Sequence, residues 1–214
     1  MTAPLVTDPK APCICLIDSP DHPATLDETT AGLTCSVVRV EVSDWGAALT
    51  PWPAAALYRG EPDYGGHAQE TLCWLLQEAL PAAERAAGID PSARAIAGYS
   101  LAGLFSLYAF LHEPSFAAAG CLSGSLWYEG WMQHVQETQL PTQGRYAYFS
   151  LGKKERRASR PQLKLVQENT EACIELLSAR GLATDYVLHP GGHLTGIDHR
   201  ISAGLVALDA YLTR

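Results

Sequence analysis

No run of 18 apolar residues occurs anywhere in the 214-residue chain, so no segment reads as a membrane-spanning helix. The start, M-T-A-P-L-V-T-D-P-K, lacks the basic and apolar regions of a secretory leader, and a cytoplasmic location is the expectation. Positive charge is scarce: 15 Lys and Arg against 23 Asp and Glu leave a formal net charge of −8. That balance argues against nucleic acid or an anionic membrane as a partner, because both demand a basic face. The six cysteines, at 13, 15, 35, 73, 121 and 173, show no Cys-x-x-Cys spacing and fall mostly in apolar runs. They read as small buried hydrophobes rather than metal ligands or a disulfide framework, so neither a metal nor an organic cofactor is expected. Internal repeats and low-complexity linkers are absent as well.

What is present is a chain that is 47% hydrophobic and 18% charged, enough to bury one sizeable core, and residues 1–214 are read as one α/β domain. Strand-like and helix-like segments alternate throughout, the mark of a parallel sheet covered by helices. Strands are predicted at 12–17, 36–42, 93–97, 117–122, 145–151 and 185–188. Helices are predicted at 24–33, 67–87, 101–111 and 162–180, with a last one ending near 212. Residues 43–66, with their prolines, glycines and two tryptophans, read as a long ordered loop of the kind that carries function.

One stretch raises a chemical question. A-I-A-G-Y-S-L-A-G-L (95–104) places Ser100 between a strand and a helix apolar on nearly all sides, the context of a nucleophile elbow. Gly98 and Ser100 match G-x-S-x-G, while Ala102 stands at the second glycine and Gly103 follows it. Such a turn would lift the serine hydroxyl above the sheet and aim the Leu101 N–H at a developing oxyanion. The same residues would also suit an inert packed turn.

A serine nucleophile needs a base and the base an orienting acid, both just beyond strand ends. His193, in P-G-G-H after the strand 185–188, fits the base. His199, at the start of the last helix, is the alternative, with Asp198 as its neighbour. His22, His67, His112, His134 and His189 read as surface or loop residues. Glu155, in S-L-G-K-K-E after the strand 145–151, fits the acid, although a surface glutamate would look the same. Asp185 begins a strand and so points to the opposite rim.

The runs G-Y-S-L-A-G-L-F-S-L-Y-A-F (98–110), S-G-S-L-W-Y (123–128), S-L-G-K-K-E (150–155) and P-G-G-H (190–193) together resemble the putative esterase family of α/β-hydrolases, over residues 13–212. That family includes siderophore trilactone esterases, feruloyl esterases and S-formylglutathione hydrolase. The resemblance implies an α/β-hydrolase fold: a mostly parallel central sheet with helices on both faces and trimmed N-terminal strands. It implies Ser100 as nucleophile, His193 as base and Glu155 as acid. Where members often carry Asp-Gly for the second oxyanion donor this chain has Asp18-Ser19, so Ser19 joins Leu101 as oxyanion candidate, with the Trp45 region as a rival.

Trp45, Trp52, Trp127, Tyr128 and Trp131 fall in two loops expected above the sheet, where they would line a pocket for an aromatic or bulky apolar group. Core packing would use the same residues. The basic run Lys153, Lys154, Arg156, Arg157 and Arg160 reads as a solvated loop or as an anion-tolerant rim. The expected activity is ester hydrolysis of a small-molecule substrate through an acyl-enzyme. Acyl transfer, thioester cleavage and a non-catalytic binding protein are the alternatives, and a homodimer is a conceivable assembly.

Overall fold

A computed structural model of the protein describes residues 8–139 and 143–214. Residues 1–7, which open the segment read above for a leader, lie outside it. The chain runs β1 (Cys13–Asp18), β2 (Ser36–Glu41), α1 (Trp45–Ala48), α2 (Ala68–Trp74), α3 (Leu80–Ala87), β3 (Arg94–Tyr99) and α4 (Leu101–His112). It continues β4 (Phe116–Leu122), α5 (Trp131–Glu137), β5 (Tyr146–Gly152), α6 (Pro161–Lys164), α7 (Val166–Ala179), β6 (Ala183–His189) and α8 (Ile197–Leu212). The strands form one sheet in the order β2-β1-β3-β4-β5-β6, and every pairing is parallel.

Parallel strands must be buried on both faces, and the alternation along β1 shows how. Cys13, Cys15 and Ile17 join Ile96 and Phe105 in the core under α4, whereas Ile14 and Leu16 join Ala97, Leu205 and Leu208 in the core under α8. Helix α4 packs on β3 and β4, and α8 covers β3, β4 and β5 from the other side. The sheet with helices on both faces therefore agrees with the expectation. The sheet itself is wholly parallel among the described residues. No helix among them is long and apolar enough to cross a membrane.

Three local readings differ. The helix expected at 24–33 is only a 3₁₀ turn, Glu28–Gly32, capped by the Asp27 side chain. The loop 43–66 contains the single turn α1 and an isolated antiparallel bridge between Ala54 and Tyr64. The helix expected at 67–87 passes through a π-helical turn, Leu75–Ala79. Pro81 accounts for this, because its ring collides with the carbonyl four residues earlier and the preceding turn widens to relieve it.

Strand order reverses beside β1 and β3, and in open parallel sheets the crevice at that point, beyond the carboxyl ends of the strands, takes the ligand. Ser100 directly follows β3.

Candidate active site

Ser100 occupies a backbone conformation that side chains rarely adopt, φ 60° and ψ −121°. Such a residue costs on the order of 1–3 kcal/mol and persists only where its surroundings over-determine it. Here its N–H donates to Leu122 O, and its carbonyl accepts from Leu104 N and Ser125 N. Gly98 is obligatory: a Cβ there would lie 2.5 Å from the Ala102 carbonyl oxygen. Gly103 is similarly pressed, against Gly98 O at 2.9 Å and Gly124 Cα at 3.0 Å. Ala102 sits inside α4 with ordinary helical φ, so this position needs small volume and not glycine's freedom.

The Ser100 Oγ lies 3.0 Å from His193 Nε2, and His193 Nδ1 lies 2.8 Å from Glu155 Oε2. A carboxylate only accepts, so Nδ1 carries the proton, and in the neutral ring Nε2 is left with a lone pair toward the hydroxyl. Glu155 is buried. Its other oxygen accepts from Gly152 N at 2.7 Å, Ser123 Oγ at 2.9 Å and Arg200 Nη1 at 2.9 Å. Burial alone would push its carboxyl up, but bonds from His193, Gly152 and Ser123 outweigh this and hold it below the ordinary value.

The other histidines make no hydrogen bond to Ser100, although His22 lines a cavity that reaches it. His199 is paired with Asp27, 3.2 Å away, and Asp198 accepts from Thr25 N. His189 is not a surface residue but the buried end of β6. His112 and His134 face each other across α4 and α5, Nε2 to Nε2 at 3.0 Å, and burial lowers both.

Two cavities meet at Ser100 and His193. The first, about 490 Å³, is walled by Tyr58, Tyr64, Leu101, Trp127 and Val166, with Lys154 and Arg157 beside it. The second, about 760 Å³, is walled by Asp18, Ser19, Trp45, Tyr99, Asp198 and Ile201. The aromatic expectation needs correction. Trp127 and Trp45 line the cavities, one each, but Trp52 and Tyr128 line neither. Tyr128 is buried with its hydroxyl on Trp52 O, Trp52 gives its indole N–H to Glu129 O, and Trp131 is wholly in the core. Tyr58 and Tyr64, which the sequence did not single out, form the wall instead. Of the basic run, Lys154 and Arg157 are rim residues, and Arg160 lies over the Tyr58 ring.

The oxyanion candidates stand differently. Leu101 opens α4, where the first N–H groups have no intrahelical acceptor, and it lines the first cavity. The Ser19 N–H is already engaged by Asp18 Oδ1 at 2.9 Å. The Trp45 indole N–H has no partner among the described residues but is shielded. No group of three or more metal-ligating side chains occurs among the described residues.

Residues 26–196 match the family model described as "Putative esterase". Over 139 residues the chain is 30% identical to the uncharacterized protein YbbA of Bacillus subtilis, covering 64% of this chain and 56% of that protein. The chain thus matches little more than half of that relative's length. Among solved structures it resembles the siderophore hydrolase EstA from Aspergillus nidulans, at TM-score 0.71 and 19% identity, over 96% of this chain and 85% of that one. An IroE-like serine hydrolase from Shewanella oneidensis superposes at TM-score 0.74 and 17% identity, over 95% and 72%. The enterobactin esterase FES from Shigella flexneri, in the presence of enterobactin, gives 0.67 and 20%, over 95% and 52%. At these identities the structural likeness speaks for the fold.

Proposed function

The chain belongs to the putative esterase family of α/β-hydrolases, and from that premise we propose that it hydrolyses carboxylic esters through a Ser100-His193-Glu155 triad and an acyl-enzyme. The observation that carries this is the unbroken relay from Ser100 Oγ to His193 Nε2 at 3.0 Å and from His193 Nδ1 to Glu155 at 2.8 Å, set at the junction of two cavities.

In this reading Ser100 Oγ attacks the ester carbonyl carbon while His193 Nε2 takes the hydroxyl proton. The tetrahedral oxyanion is held by the Leu101 N–H at the positive end of α4. As it collapses, the C–O bond to the alcohol breaks and His193 protonates the departing oxygen. Water then repeats the sequence on the acyl-enzyme, giving the carboxylic acid and free Ser100. Glu155 holds the ring in the tautomer that leaves Nε2 free and stabilises the imidazolium. Ser19 would serve as second oxyanion donor by exchanging its bond to Asp18 for one to the oxyanion.

The aromatic and aliphatic wall of the first cavity, with Lys154 and Arg157 at its side, suits a bulky, partly aromatic group. The siderophore hydrolases among the structural relatives make a siderophore-like ester a reasonable first compound to try. The direct test is a short p-nitrophenyl ester and a fluorophosphonate probe. Ser100→Ala should lose turnover and labelling while keeping the wild-type melting temperature. Retention of wild-type turnover in that variant would remove Ser100 as nucleophile.

A further inference from the structure

Arg200 is wholly buried in the first turn of α8, on the apolar face it shares with Ile197, Ile201 and Gly204. A guanidinium there is costly unless its donors are satisfied. Both Nη groups are, by a particular set of partners, while the buried Nε–H has none among the described residues. Nη1 donates to Glu155 Oε1 at 2.9 Å, Ser123 Oγ at 2.8 Å and the Tyr99 hydroxyl at 2.9 Å. Nη2 donates to three carbonyls of the turn that carries His193: Gly192 O at 2.7 Å, Thr195 O at 2.8 Å and Pro190 O at 3.3 Å. The Tyr99 hydroxyl passes the connection on, donating to His193 O at 2.5 Å.

That turn, P-G-G-H-L-T-G, has glycine at 191, 192 and 196, two of them at positive φ, and Leu194 beside the histidine is 84% exposed. Its side chains contribute little packing beyond the His193 ring against Tyr99. Arg200 gathers its carbonyls from behind and ties them to the acid. Gly152 makes room for this, since a Cβ there would lie 2.6 Å from Arg200 Nη2 and 2.6 Å from Gly191 O. Arg200 lines neither cavity, so it does not meet substrate.

We propose that Arg200 is a positioning residue: it acts through Glu155 and through the carbonyls of the His193 turn to hold the imidazole in line with Ser100. This inference rests on the triad reading above. A guanidinium is suited to the task because its planar fork satisfies a carboxylate oxygen and several carbonyls at once, which an ammonium cannot match. With the fork gone, the imidazole would drift from Ser100, and displacements of about 1 Å cost on the order of 10²-fold in turnover. Substrate contacts would be untouched.

The test is steady-state hydrolysis of p-nitrophenyl acetate by the full chain and four variants, with thermal melts for each. Arg200→Met should lower kcat by about 10²-fold and leave KM within about threefold. Arg200→Lys, which keeps the charge and fewer bonds, should recover part of the loss. Tyr99→Phe, which keeps Arg200 and its bonds to Glu155 and the His193 turn but removes the hydroxyl bridge from Arg200 Nη1 to His193 O, should lower kcat several-fold. If Arg200→Met does not fold, the lysine and phenylalanine variants decide, and both at wild-type kcat overturn the proposal. A folded Arg200→Met at wild-type kcat, with Ser100→Ala inactive, overturns it too, as does a loss confined to KM. Ser100→Ala at wild-type activity would instead overturn the triad reading itself.

Discussion

At the scale of single residues, the proposed site is a set of groups each of which has its charge or hydrogen assigned by its neighbour. Glu155 can only accept, so His193 must present Nδ1–H to it; losing the acid frees the wrong tautomer. Glu155→Gln is expected to lower kcat by roughly four orders of magnitude, and His193→Ala by at least as much. Because the residues act as one unit, the double variant should be little worse than His193→Ala alone. A multiplicative loss in p-nitrophenyl ester assays would contradict that unity. His199→Ala should be mild, since His199 pairs with Asp27 and not with the serine. Glu155 also makes a prediction about pH. Its carboxyl is held below the ordinary 4.5 in the folded state, despite burial, by its hydrogen bonds. The stabilisation it contributes is therefore present above about 4.5 and lost as pH falls through the lower folded value. In thermal melts, the gap between wild type and Glu155→Gln should narrow below pH 4.5; a constant gap across acid pH would count against it.

At the scale of elements, the decisive piece is the junction of β3 with α4. The strand delivers the serine to the switch point of the sheet, and the buried helix offers its first N–H groups. The close approach of strand and helix leaves no volume at 98, where Cβ would meet backbone and not a movable side chain. Gly98→Ala should destabilise the fold by about 3 kcal/mol and abolish activity together, with Tm falling by roughly 6–12 °C. A Tm within about 2 °C of wild type would mean that the elbow relaxes at little cost. Helix α4 itself is anchored by Phe105, fully buried in the core it forms with the sheet. Phe105→Ala should cost about 3–5 kcal/mol in denaturant unfolding; a cost under about 1 kcal/mol would show that the site collapses around the gap.

At the scale of the whole molecule, two cavities fed by distant segments converge on one serine, and this distinguishes tryptophans that look alike in sequence. Trp127→Ala should raise KM for aromatic acyl esters about tenfold, because the ring forms cavity wall. Trp52→Ala should lower Tm and leave KM unchanged, because its ring packs on Tyr128 and His134 and its N–H is tied to Glu129 O. The reverse pattern would exchange their places. What the amino-acid order determined by itself is whatever is local and periodic. The alternation of apolar runs encodes the parallel sheet and its two-sided cover, and small residues around Ser100 encode a strand-to-helix turn. Segments ending in P-G-G-H and L-G-K-K-E encode a histidine and a glutamate just past strand ends. Only the tertiary structure decided what depends on distance through space. It paired His193 with Glu155 across 38 positions and gave His199 to Asp27 instead. It also turned Tyr58 and Tyr64 into cavity wall while withdrawing Tyr128 and Trp131 into the core. The same holds for Arg200. Nothing in the sequence singled it out, and its six partners come from β3, the turns after β4 and β5, and the His193 turn. No local signal specifies such a convergence, because hydrogen-bond geometry exists only once the sheet has brought those strand ends to one edge.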